Sequence, residues 1–176
     1  VLAVDGRGTK TAALWVQQDA TVLNYSVTSG SNPFDQPYWR DILKNLVTPM
    51  SKSIQAAAFG LAGYGENRAQ GNIIRNYLRT LCPNGALSLS NDVDMACTGA
   101  FAGGAGILLL AGTGSTTWAR NAAGQTSRVG GWGSVFGDEG SAYWIGREAL
   151  KLLCRAFDGR TPEALGFATA LAAHMG

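Results

Sequence analysis

Three short apolar runs broken by turns, then strand-like and helix-like segments in alternation, predict an α/β chain built on a mixed sheet. A third observation supports this. A strand–glycine turn–strand pattern at the start begins again near residues 100–106, which predicts two α/β domains, 1–100 and 101–176.

The first run, Val1 to Val4, ends in Asp5, and Ala12 to Val16 resumes after a glycine-rich turn. Val22 to Val27 follows the polar break Gln17-Gln18-Asp19, so the three runs read as an antiparallel meander. Tyr38, Trp39, Ile42, Leu43, Leu46 and Val47 keep helical spacing, with Pro37 suited to a first turn. Ala56 to Leu61 reads as a buried strand, followed by the loop Ala62-Gly63-Tyr64-Gly65. Ile73, Ile74, Tyr77, Leu78 and Leu81 mark a helix that Pro83 stops, and Ala86 to Leu89 is a further strand leading to Asn91-Asp92. Met95 to Phe101 reads as helix, Ile107 to Ala111 as strand, and Thr116 to Arg120 as its hairpin partner. Helices over Ser141–Phe157 and Pro162–His174 complete the chain.

Composition narrows the function. With 46% hydrophobic residues among 176 the chain can bury a core. A net charge of +2 without a basic run argues against a nucleic-acid partner. Cys82, Cys97 and Cys154 are widely spaced, which argues against a zinc ribbon or a disulfide scaffold and reads as buried small residues in a reducing cytoplasm. The charge-free stretch from Met95 to Ala119 is long enough to span a bilayer, but its glycines and hydroxyls break it up, so no membrane partner is expected. The single histidine, His174, gives poor support to Ser/His or Cys/His catalysis.

Four segments carry chemistry. Asp5-Gly6-Arg7-Gly8-Thr9-Lys10-Thr11 lies between two strands, where exposed amides and hydroxyls make an anion cradle, and Asp5 can hold Mg²⁺ through water. A plain glycine-rich hairpin remains the alternative. Gly112-Thr113-Gly114-Ser115-Thr116 repeats the theme in the second domain, and two such turns could grip a polyphosphate. Asn91-Asp92-Val93-Asp94 follows a strand and precedes a helix, so a carboxylate there faces the cleft that strand ends line in α/β sheets. Such a carboxylate can take a proton from a substrate hydroxyl in phosphoryl transfer, or can simply cap the helix. Asp92, nearest the strand end, is the favoured base. Gly131-Trp132-Gly133-Ser134-Val135-Phe136-Gly137-Asp138-Glu139-Gly140-Ser141 puts two carboxylates before a helix, where they can bind sugar hydroxyls or cap. Trp132 and Trp144 read mainly as packing residues.

Asp5-Gly-x-Gly-Thr-Lys-Thr, Asn91-Asp92, Gly112-Thr-Gly-Ser and Gly130-Gly-Trp-Gly with Gly137-Asp-Glu-Gly-Ser occur in the order seen in the BadF/BadG/BcrA/BcrD family. The likeness spans almost the whole chain and is strongest to the N-acetylglucosamine kinase and glucosamine kinase branch of the actin/hexokinase/Hsp70 superfamily. It implies a ribonuclease H-like (actin-like ATPase) fold, a mixed sheet flanked by helices, with the second domain incomplete. It also implies ATP and Mg²⁺ as cofactors and a small amino sugar as partner, phosphorylated on its 6-hydroxyl, in the cytoplasm. N-acetylglucosamine is the first choice and glucosamine the second. A homodimer is admissible.

Carried over by residue, the resemblance makes Asp92 the catalytic base. Asp5, Gly8, Thr9 and Lys10 form the first phosphate turn, with Asp5 toward the metal, and Gly112, Thr113, Gly114 and Ser115 form the second. Asn32, Gly63, Asp138 and Glu139 become the sugar-binding residues. Two departures stand out. Arg7 replaces a glycine usual in the family, and the family continues beyond Gly176 with the adenosine-binding segment, so a partial chain is expected. A BadF-type activating ATPase, which needs cluster-ligating cysteines, and a non-catalytic sugar-binding module are the alternatives.

Overall fold

The computed structural model describes the backbone of residues 1–176 and all side chains except those of residues 50–52. The chain divides into two compact units, Val1–Gly104 and Ala105–Gly176.

The first unit is a five-stranded sheet in the order β3-β2-β1-β4-β5, formed by β1 (Leu2–Gly6), β2 (Lys10–Val16), β3 (Val22–Ser29), β4 (Ala56–Leu61) and β5 (Ala86–Ser90). β1, β2 and β3 pair antiparallel, as a meander must, whereas β4 runs parallel to β1 and β5 parallel to β4. The parallel steps require crossovers, which α1 (Trp39–Val47) and α2 (Arg68–Leu81) supply. The side-chain period of two sends Leu2, Val4, Ala13, Trp15, Ala57, Phe59 and Leu61 to one face. There they bury Trp39, Leu43, Leu46 and Val47 of α1 and Ile74 and Leu78 of α2 in one core. α3 (Asp92–Ala100) packs on β4 and β1. Gly60 explains how closely: a Cβ there would lie 2.6 Å from the Met95 Cβ and 3.4 Å from the Asp92 Cα.

The second unit has an antiparallel meander, β6 (Gly106–Ala111), β7 (Ser115–Arg120) and β8 (Thr126–Gly130), followed by α4 (Ala142–Phe157) and α5 (Leu165–Met175). A short 3-10 turn at Pro162–Ala164 precedes α5, so the final helix starts later than periodicity suggests. β8 goes unread in the sequence because Thr126, Ser127 and Arg128 are polar and exposed, leaving no hydrophobic alternation. α2 and α3 begin earlier than their apolar spacing implies, because Asn67 and Asn91 cap them by accepting from the Gln70 and Val93 amides. Among the described residues no helix is long and apolar enough to cross a membrane. Cys82 and Cys97 are buried as expected, but Cys154 is exposed on α4. Trp132 is 73% exposed and so packs far less than expected.

Candidate active site

In the first unit the predicted residues converge at the carboxyl ends of the parallel strands. Asp5 lies at the end of β1, paired in register with Gly60 of β4, which in turn pairs with Ser90 of β5. Asp92 opens α3 directly after β5. With no side chain at Gly60, the first turn of α3 settles onto β4 and carries Asp92 toward Asp5. Burial lifts the Asp92 carboxyl above the usual carboxylate range; the Val93 amide opposes this, the Asp5 charge reinforces it, and Arg7 opposes it again. Asp94, the other candidate, lies two residues on in the same first turn. The Asn91 side chain fixes this arrangement from two sides, accepting from the Val93 amide at 3.0 Å and donating to the Tyr64 carbonyl at 3.4 Å.

The β1–β2 turn is closed by the Arg7 amide donating to the Lys10 carbonyl. Arg7 through Lys10 are exposed. Arg7 is not among the residues with positive φ, so its side chain imposes no left-handed strain. Its guanidinium instead pairs with the Asp5 carboxylate at 2.9 Å, both side chains nearly half exposed. The turn rests on the segment after β3. A Cβ at Gly30 would overlap the Gly8 carbonyl. The Ser31 amide donates to the Arg7 carbonyl at 3.0 Å, and the Thr11 hydroxyl donates to the Ser31 hydroxyl at 2.8 Å, both side chains fully buried.

That same segment leads to Asn32, whose Oδ1 accepts from the Phe34 amide while its amide nitrogen donates to Asp35 at 2.6 Å. Gly63, at φ +78°, comes up against it: a Cβ there would lie 2.9 Å from Asn32 Oδ1 and 2.6 Å from the Phe34 ring. Asn32 and Gly63, distant in sequence, are therefore adjacent. The Ala62 amide donates to the Gly6 carbonyl at 2.7 Å and ties this loop to the end of β1. Asp5, Arg7, Asn32, Gly63 and Asp92 thus share one end of one sheet.

In the second unit Gly112–Ser115 forms the β6–β7 turn, its first two residues exposed. Asp138, only 9% exposed, lies against this turn, its Oδ1 accepting from the Ser115 amide at 3.0 Å. The Glu139 carbonyl accepts from the Ser115 hydroxyl at 2.8 Å. Ser141 caps α4, its hydroxyl accepting from the Trp144 amide. Sequence reasoning does not single out Ser31, Gly60 or the capping role of Ser141. Of these only Gly60 left a signal, a lone glycine inside an apolar strand, which marks close backbone approach.

A sequence model of the BadF/BadG/BcrA/BcrD ATPase family matches residues 2–172. The chain belongs to this family. It is 32% identical over 174 residues to the N-acetylmuramic acid/N-acetylglucosamine kinase of Clostridium acetobutylicum, covering 94% of this chain and 56% of that protein. It is 24% identical to the N-acetyl-D-glucosamine kinase of Dictyostelium discoideum, covering 92% of this chain and again 56% of the relative. The chain thus spans about half the length of the curated relatives it matches. Among solved structures, a Porphyromonas gingivalis protein provisionally assigned as an N-acetylglucosamine kinase superposes with a TM-score of 0.78 at 25% identity, covering all of this chain and 62% of the other. The fold, a mixed sheet flanked by helices, is shared with solved sugar kinases, as the resemblance implied.

The residues present fit a nucleotide carried with a divalent cation. Mg²⁺ keeps most of its waters and takes one or two carboxylates plus phosphate oxygens. Asp5 offers one carboxylate, paired with the exposed Arg7 guanidinium.

Proposed function

We propose that the chain forms the sugar-binding part and both phosphate turns of an ATP-dependent amino-sugar kinase of this family, with its two units as ribonuclease H-like domains. The observation that carries this is the position of Asp92, a half-buried carboxylate with raised proton affinity at the sheet end that also holds Asp5, the exposed turn and the Asn32–Gly63 pair. A general base works best when its pKa approaches the working pH, and burial moves Asp92 in that direction.

In the proposed reaction the sugar 6-hydroxyl attacks the γ-phosphorus of ATP in line, the bond to the bridging oxygen breaks, and ADP leaves. Asp92 accepts the hydroxyl proton. Asn32 and the backbone at Gly63 orient the sugar, and the backbone of Gly8, Thr9 and Lys10 receives phosphate oxygens. Mg²⁺, held from Asp5, would neutralise charge on the phosphates. Holding acceptor and donor together supplies much of the rate, because phosphoryl transfer asks little covalent chemistry of the protein.

N-acetylglucosamine is the proposed acceptor, supported by the names of the relatives, with glucosamine second. A coupled ADP-release assay with ATP and Mg²⁺ tests this across N-acetylglucosamine, N-acetylmuramic acid, glucosamine and glucose. It is run on this chain and on any longer gene product that contains it. Sugar-dependent turnover by either supports the reading. Sugar binding by calorimetry with no turnover from either would replace it with a non-catalytic sugar-binding module.

A further inference from the structure

We infer that Arg7 is a phosphate ligand: its guanidinium, aimed by Asp5 beside the β1–β2 turn, takes two oxygens of a polyphosphate through its terminal nitrogens. This rests on the kinase reading and adds to it a side-chain ligand beyond the backbone of Gly8, Thr9 and Lys10.

The pairing with Asp5 is one-sided. Arg7 Nε donates to both carboxylate oxygens, at 2.9 Å to Oδ2 and 3.2 Å to Oδ1. Among the described residues the terminal nitrogens, Nη1 and Nη2, make no hydrogen bond. Arginine and carboxylate commonly meet through two parallel N–H donors. Here a single N–H is spent, and the planar pair of terminal nitrogens stays open. That pair matches two oxygens of a phosphate, which a lysine ammonium does not. An ionised carboxylate has about four lone-pair sites, so Asp5 can hold Nε and still face a hydrated cation.

The backbone beneath the side chain is fixed. The Arg7 amide donates to the Lys10 carbonyl at 2.9 Å, and the Arg7 carbonyl accepts from the Ser31 amide at 3.0 Å. Only the side chain is left to adjust, and an ion pair this exposed is weak enough to yield to a ligand. The turn alongside is open as well. Among the described residues the Gly8 and Thr9 amides have no hydrogen-bond partner, and a Cβ at Gly8 would meet nothing within 4 Å. Successive unspent amides in a turn favour an anion. The Arg7 charge is also felt at Asp92, where it opposes the rise in proton affinity that burial causes. The guanidinium therefore acts on both Asp5 and the proposed base. A phosphoryl group passing to an acceptor at Asp92 carries its charge on its outer oxygens, where a fixed cation is most effective.

The test uses Arg7→Gln and Arg7→Lys in the whole chain. Calorimetry follows inorganic tripolyphosphate in Mg²⁺ buffer and, separately, N-acetylglucosamine; electron paramagnetic resonance follows Mn²⁺. Tripolyphosphate reports on the turn without an adenosine group. Arg7→Gln is expected to weaken tripolyphosphate by about 10–100-fold, the scale of hydrogen bonds to a charged group. The same variant should tighten Mn²⁺ alone by about fivefold, because a cation has left Asp5. Effects of opposite sign in one variant cannot come from a damaged fold, and sugar affinity should stay within about twofold. Arg7→Lys, which keeps the charge without the planar pair, should fall between Arg7→Gln and the unsubstituted chain. Tripolyphosphate bound as tightly or more tightly by Arg7→Gln would overturn the proposal and leave Arg7 as a plug on the cation site. Full affinity in Arg7→Lys would also overturn it, reducing the guanidinium to a point charge. Either result leaves the kinase reading standing while the unsubstituted protein shows sugar-dependent ADP release. Absence of both tripolyphosphate binding and ADP release from the unsubstituted protein would remove the Arg7 role together with that reading.

Discussion

The β1–β2 turn leans on a neutral pair of buried hydroxyls and a glycine, whereas the β6–β7 turn leans on a buried carboxylate and the start of a helix. Both are Gly/Thr-rich turns between antiparallel strands. The difference lies in where each keeps its negative charge. Asp5 sits in the first turn's own strand, near the surface, paired with an exposed arginine that can leave. Asp138 comes from 23 residues downstream and is almost wholly enclosed. An exposed carboxylate can exchange partners; an enclosed one is held by its neighbours. Like-looking turns thus keep their charge differently, one presenting it and the other enclosing it.

The largest effect that sharpens this contrast belongs to Asp92, which shares the sheet end with Asp5. Asp92→Asn should lower kcat by about 10²–10⁴-fold, the usual contribution of a positioned general base, while N-acetylglucosamine binding survives. Loss of sugar binding with the fold intact would remove Asp92 from that role. The pH dependence carries the sign. A base works only when deprotonated, so kcat/KM should rise with pH through a midpoint above the ordinary Asp value of about 3.9. Stability should run the other way. A carboxyl whose pKa is raised by folding binds its proton more tightly in the native state, so its ionisation costs stability as pH climbs from the unfolded pKa toward the folded one. Asp92→Asn should therefore raise Tm at neutral pH and lose that advantage below about pH 4.

Next comes the glycine pair that seats the first turn. Gly30→Ala puts a methyl into the Gly8 carbonyl, a backbone atom that cannot rotate aside. Overpacking of this kind costs about 1–3 kcal/mol, enough to lower Tm by several degrees. Gly8→Ala meets nothing within 4 Å and has no positive φ to strain it, so it should leave Tm unchanged or slightly higher. If thermal melts gave the two alanines equal losses, the turn would not rest on Gly30.

How much of this was legible in the sequence follows from the range of each interaction. β1, β2 and β4 declared themselves because their side chains alternate against one core, and Trp39, Leu43, Leu46 and Val47 kept helical spacing for the same reason. β8 did not, because its side chains meet water and pairing is done by backbone alone. The residues at the first sheet end were legible as types at strand ends. That Asn32 meets Gly63, and that α3 reaches β4 through Gly60, depends on crossovers no local pattern encodes. Asp138 is the sharpest case. Two carboxylates before a helix look alike in sequence whether they face a ligand or the protein. The left-handed φ and the bond to Ser115 exist only once the chain has folded.

The smallest expected effect on stability concerns Arg7, the cation beside Asp5. Its ion pair with Asp5 is exposed, and exposed pairs contribute about 0–1 kcal/mol. Arg7→Gly should therefore cost little stability from the pair, with about 0.4–1 kcal/mol more from the freer unfolded chain. Its effect on cation binding has the opposite sign. Two unit charges 4 Å apart interact by about 1 kcal/mol in water, so removing the guanidinium should tighten Mn²⁺ binding, followed by electron paramagnetic resonance, by about fivefold. Tightening in Arg7→Gly with Mn²⁺ affinity unchanged in Asp138→Asn would show that only the first turn offers its carboxylate to a cation. Weakening in Asp138→Asn would erase the distinction between a turn that presents charge and a turn that encloses it.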